Sequence, residues 1–221
     1  IPQSRALRWD GRDPAAAAVV TAAEPKWTQG VGVVDRPLRY AARDLAAALS
    51  AAPETPSPEV LRTRLAAERA EDRMAAAATL AYMGDTSGVA DLLAAELPAG
   101  LRDGQWLTLE AETVPAVLAR GGDEADALLE ALHERAAAGC GAELADLARG
   151  LDAAMPAEAR ANRLIDDLES PSLAVRRYAI LRLRELVPDA RLQGDGYRAD
   201  RPAALRGDSV AWWRELSLIH I

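Results

Sequence analysis

Between Ser170 and Val187 the apolar residues Leu173, Val175, Ala179, Leu183 and Leu186 return at helical spacing, while Arg176, Arg177, Arg182, Arg184 and Glu185 fall largely outside that stripe. This predicts an amphipathic helix, with Ser170, Pro171 and Ser172 as its cap and first turn. The same spacing recurs upstream. A helix begins near Pro37 with Leu38, Ala41, Leu45, Ala48 and Leu49 on one face, and stops at the prolines of 53–58. Ser57-Pro58-Glu59 opens another, carrying Val60, Leu61 and Leu65. Arg73, Met74, Ala76, Leu80 and Met83 mark a third, stopped by Gly84-Asp85. Shorter helical stretches follow at 89–97, 114–118, 123–138, 144–151 and 157–168, each closed by Pro, Gly or the next cap. The piece 101–109, with Trp106-Leu107-Thr108-Leu109, reads as an extended insertion.

The two ends break this pattern. Ile1 to Asp13 is extended and partly alternating up to the Asp10-Gly11 turn. Pro14 to Pro37 reads as a linker, with Trp27 and Val31 to Val34 as packed anchors. The chain therefore divides into an extended and linker segment over 1–36, a helical domain over 37–215 and a distinct tail over 216–221. That tail, Leu216-Ser217-Leu218-Ile219-His220-Ile221, resembles the in-frame translation of a transposon mosaic-end sequencing adapter. On that reading it is non-native.

Placing Arg73, Ala76, Leu80 and Met83 on Arg176, Ala179, Leu183 and Leu186 aligns the same Arg, small, Leu, apolar order at an offset of 176 − 73 = 103 residues. That order resembles the second helix of a HEAT repeat. The resemblance implies an all-α fold, an α-α superhelix of stacked helix pairs, with an irregular N-terminal segment. It also implies that Arg176 and Arg73 pair with acidic residues of a neighbouring repeat, Asp166, Asp167 or Glu169 in the case of Arg176. The segment from Gly194 to Arg214, with its Gly-Tyr turn and Ala-x-Trp-Arg helix, resembles the closing segment of HEAT-like proteins of planctomycete-type bacteria, in which Tyr and Trp cap the last helix pair. Ile1 to Gly11 resembles the end of a FecR-like domain of bacterial cell-surface signalling proteins.

Composition narrows the chemistry. Half the residues are apolar, largely Ala and Leu, with no Phe, which favours closely packed helices. Lys26 is the one lysine among 26 basic residues, and the abundance of Arg and Ala is that of a GC-rich bacterial coding sequence. A net charge of −8 argues against nucleic acid or an anionic membrane surface as the main partner. The charge gathers in the middle, where residues 84–169 hold 18 acidic and 6 basic side chains. No run is long and apolar enough for membrane insertion.

Residues able to do chemistry do not converge. Cys140 lies in a Gly-Cys-Gly turn with no basic neighbour to activate it. His133-Glu134 lacks the second histidine of a zinc protease. Gly194-Asp195-Gly196 lacks the alternating acids and closing Glu of a calcium loop, and Gly30-Val31-Gly32 is no dinucleotide fingerprint. Asp166, Asp167 and Glu169 stand where negative charge helps the following helix N-terminus. No catalytic, metal or cofactor site is expected. The candidate partner-binding or inter-repeat residues are Arg73, Arg176, Arg177 and Arg182, with Trp212 and Trp213 as aromatic anchors. These readings describe a non-enzymatic scaffold for protein–protein interaction, part of a larger bacterial signalling or surface-associated protein, with the acidic middle as its recognition surface. The competing reading is an accessory or regulatory domain of an enzyme whose catalytic part precedes Ile1.

Overall fold

The structure is a computed structural model describing residues 6–8, 19–21, 36–97, 100–151, 154–187 and 196–220. Among them are ten α-helices: α1 (Arg36–Ala51), α2 (Ser57–Arg64), α3 (Ala70–Tyr82), α4 (Ser87–Ala94), α5 (Asp103–Arg120), α6 (Gly122–Arg135), α7 (Gly141–Arg149), α8 (Ala157–Asp167), α9 (Leu173–Leu186) and α10 (Gly207–His220). A 3₁₀ turn, Ala203–Leu205, precedes α10. The class is all-α. Near the start, strands β1 (Ala6–Arg8) and β2 (Val19–Thr21) pair antiparallel with Leu7 opposite Val20. The anchors Trp27 and Val31 to Val34, and Gly194-Asp195, lie outside the described residues.

Helix pairs form where the apolar stripes meet. Ala41 and Leu45 of α1 are buried, as are Leu61 of α2 and Leu80 of α3, and these three helices pack together. The stretch expected as an extended insertion is instead the first half of α5, continuous with the expected short helix at 114–118. Trp106, Leu109, Thr113, Val114 and Val117 are buried at helical spacing, so one long stripe spans both pieces. Pro115 sits within it. Its missing N–H leaves the Ala111 carbonyl without its helical donor, and the helix runs on through it to Arg120.

Helix α9 is the centre of the molecule. Every residue from Leu173 to Ile180 is buried, including Arg176 and Arg177, and the helix packs against α4, α7 and α8. The expected amphipathic helix, with Arg176 and Arg177 outside its apolar stripe, is therefore corrected over its first two turns, where both arginines are buried. A guanidinium carries five N–H donors in a fixed fork: here Arg176 meets three backbone carbonyls and Arg177 one carbonyl and the Asp103 carboxylate, while Arg177 Nη1 is buried without a partner.

The units α2–α3 and α8–α9 share one turn geometry. Leu65 after α2 has φ −63° and ψ −22°, and Leu168 after α8 has φ −64° and ψ −21°. Arg69 before α3 has φ −76° and ψ 128°, and Ser172 before α9 has φ −75° and ψ 125°. Both pairs are separated by the 103 residues of the sequence alignment. The turn amides follow suit: Ala67 N–H donates to the Arg64 carbonyl at 3.1 Å, and Ser170 N–H to that of Asp167 at 3.2 Å.

The C-terminal segment closes over the second turn. Tyr197 and Arg206 are buried, and each donates to the Leu168 carbonyl at 2.6 Å. Trp213 of α10 is buried and stacks edge-on with half-buried Trp212, ring centroids 5.2 Å apart. The helix backbone continues through His220, and Leu216 packs against the core.

Candidate functional site

A cleft of about 460 Å³, open to solvent on one side, lies between α5, the end of α7, α8 and α9. Its apolar walls come from Val114 and Leu118 of α5, Leu151 after α7, Leu164 of α8 and Leu186 of α9. Three arginines, Arg149, Arg160 and Arg182, and one acid, Glu185, complete the lining. The local composition is apolar and basic inside a strongly acidic chain.

Arg182 is fastened in place. It donates to the Leu147 carbonyl at 3.2 Å and the Ala148 carbonyl at 3.4 Å, where a cation also suits the C-terminal end of α7. It pairs with Glu110 at 3.3 Å and Glu185 at 2.9 Å, and its guanidinium stands 5.8 Å from the Tyr178 ring centre. Glu110 is buried, which raises its carboxyl above the ordinary range, and Arg182 opposes that rise. The Tyr178 hydroxyl beneath is fully buried without a hydrogen-bond partner. Arg149 lies at the mouth in a loose 3.6 Å pair with Asp146.

Arg160 differs from both. Its Nε is buried and has no hydrogen-bond partner, and no ion pair to another described residue engages its guanidinium. Neither Arg149 nor Arg160 was among the sequence candidates. The available signal was that Arg160 directly precedes Ala161 and stands four residues before Leu164, both on the buried stripe of α8.

The other sequence candidates lie elsewhere. Arg73 donates to the carbonyls of Ala67 at 3.0 Å and Glu68 at 2.9 Å. Arg176 donates to those of Ser170 at 2.7 Å, Pro171 at 2.8 Å and Ala199 at 3.0 Å. Carbonyls thus stand where acidic partners for Arg176 were expected. Asp166 and Glu169 face Arg214 instead, at 3.7 and 2.6 Å. Arg177 donates to Asp103 at 2.8 Å and the Leu101 carbonyl at 2.6 Å, with its guanidinium 5.9 Å from the Trp106 ring centre. Trp106 in turn donates from Nε1 to the Leu93 carbonyl and meets Tyr178 edge-on.

Asp167 corrects another expectation. Burial, with the Glu143 carboxyl alongside, pushes it from the ordinary 3.8 to about 8, so it is largely a neutral acid at pH 7 and lends the α9 N-terminus little charge. Cys140 is buried, its Sγ 3.9 Å from the Ser170 hydroxyl, and His133 is exposed on α6. Among the described residues no three His, Cys, Asp or Glu side chains converge as metal ligands, and no helix is long and apolar enough to cross a membrane. Asp123, Asp126 and Glu130 form an exposed acidic ridge on α6.

Fold and site together describe an all-helical protein with two matching helix–turn–helix units and an arginine-lined apolar cleft. No protein-family model, curated protein or solved structure matches the chain.

Proposed function

We propose that the chain is a non-enzymatic helical-repeat scaffold, HEAT-like in its unit, that binds another protein as part of a larger bacterial signalling or surface-associated assembly. The observation that supports this reading is the pair of equivalent turns, Leu65 to Arg69 and Leu168 to Ser172, with their dihedral angles matched to within a few degrees. Repeated helix pairs bury a shared core and leave broad outer faces for recognition. Here those faces are the acidic ridge of α6 and the cleft beside α9, and specificity rests on shape and charge. The test is crosslinking of the chain in its source cells, followed by rebinding of the purified crosslinked protein in a titration calorimeter. A one-to-one complex with a Kd near or below about 10 µM is expected. Crosslinked proteins that fail to rebind once purified would overturn the reading.

A further inference from the structure

We infer that the cleft between α5, α8 and α9 is the docking site for a partner segment carrying a carboxylate next to leucine-like side chains, and that Arg160 receives the carboxylate. This rests on the scaffold reading and assigns it a site and a partner chemistry.

Three observations converge on that chemistry. The first is the deficit at Arg160. A buried N–H with no acceptor is a cost of about 1–3 kcal/mol, larger on a charged group, and Arg160 Nε is in that state. Nε itself is closed to solvent, so a ligand in the cleft meets the two terminal nitrogens of the guanidinium, and a carboxylate, whose two oxygens match that pair, is the acceptor that best suits them. Among the described residues, buried Glu110 and the lining acid Glu185 both engage Arg182.

The second is the wall. Val114, Leu118, Leu164 and Leu186 are aliphatic, so the ligand must present apolar groups as well as charge. The volume of about 460 Å³ falls in the range of sites that take a few side chains, and the cleft's open side lets a polypeptide backbone run outside it. The third is charge. The chain as a whole would repel an acidic partner, but at physiological salt that repulsion fades beyond about 8 Å. The charges that line the cleft are three arginines, Arg149, Arg160 and Arg182, against one acid, Glu185.

The test is a random-peptide display selection on the whole chain, followed by solution binding of the synthesised selected peptides. Enriched peptides are expected to carry Glu, Asp or a free C-terminus beside Leu, Ile or Val. Their affinity should fall about tenfold, worth 1.4 kcal/mol, in Arg160→Gln, and by a similar factor when the peptide acid is changed to its amide. The Arg160 side chain makes no hydrogen bond or ion pair to another described residue, so Arg160→Gln should melt with the wild type. Leu186→Glu, at the cleft rim, provides a second variant in which affinity should also fall at least about tenfold. Peptides that bind without an acid, or that bind Arg160→Gln and Leu186→Glu as tightly as wild type, would overturn the cleft assignment while leaving the scaffold reading in place. Selection of no peptide that binds in solution would overturn both.

Discussion

Arg73 and Arg176, which stand 103 residues apart in the chain, each donate from Nη1 to two carbonyls, those of the sixth and fifth residues upstream. Both occupy the fourth position of their helices, and in both the guanidinium folds back over the turn that introduces the helix. The equivalence extends from sequence to hydrogen bond, and the two sites differ in burial and in the Ala199 carbonyl that Arg176 also holds.

That difference sets the first expectation. Arg176→Ala leaves three carbonyls in a buried region without their donor and should destabilise the fold by about 2–4 kcal/mol, while Arg73→Ala at the more exposed turn should cost about 1 kcal/mol. Lysine cannot span the same carbonyls with a planar fork, so Arg176→Lys should recover only part of the loss. Urea midpoints at constant m-value distinguish these outcomes.

Arg177 tests the link between the end of the chain and its middle. Replacing it with Ala leaves Asp103 and the Leu101 carbonyl unanswered and removes the cation over Trp106. A loss of about 2–4 kcal/mol is expected. Arg177→Met, which fills the space without charge, should be milder, as replacements of buried ion pairs by apolar groups often are. Near-ultraviolet circular dichroism of Trp106 would report whether the packing survives.

A pH dependence follows from Asp167. Its folded-state value, about 8, lies above its ordinary 3.8, so the folded chain holds a proton that the unfolded chain releases in this window. Stability contributed by the neutral acid is complete below about pH 4 and declines as pH rises towards 8. Asp167→Asn keeps a neutral group beside Glu143 and should flatten that decline. Thermal melts across pH 5 to 8 would show it, and an equal slope in both proteins would count against the assignment.

Gly141 at the start of α7 permits a close approach to His133 of α6. A methyl group there would press on the His133 carbonyl and lie 3.0 Å from two ring carbons of that side chain. Gly141→Ala should therefore cost about 2 kcal/mol by overpacking. Gly104, with open space around the added carbon, is the control: its alanine variant should be neutral or slightly stabilising because alanine favours a helix. Melting temperatures of the two variants give the comparison.

Much of the architecture was legible because helical periodicity depends on near neighbours. The stripes of α1, α3 and α9 could be read from their own residues, and the 103-residue alignment held down to backbone angles. The roles of the arginines were not legible, since an acceptor for Arg177 lies 76 residues away at Leu101 and another for Arg182 lies 35 away at Leu147. Charged residues outside an apolar stripe read as solvated until the chain folds carbonyls onto them. The first half of α5 was missed because Trp106-Leu107-Thr108-Leu109, taken alone, reads as extended, while Trp106, Leu109, Thr113 and Val117 show their helical spacing only over the longer span. The cleft was invisible for a related reason: its walls come from four segments, and Arg160 by itself resembles any surface arginine.

The burial of α9 against α4 and α7 has a consequence for how this chain folds. In a one-dimensional array each unit touches only its neighbours, and units can be added, removed or nucleated anywhere. Here the Leu173 amide donates to Glu96, 77 residues earlier, and Arg177 reaches back to the start of α5. The central helix is synthesised after α4 and α5, which must wait for it with their apolar faces uncovered. Such long-range closure slows folding relative to local helix pairing and joins the units into a single cooperative transition: fragments ending before Leu173 should behave as loosely packed helices rather than as a shorter version of the same protein.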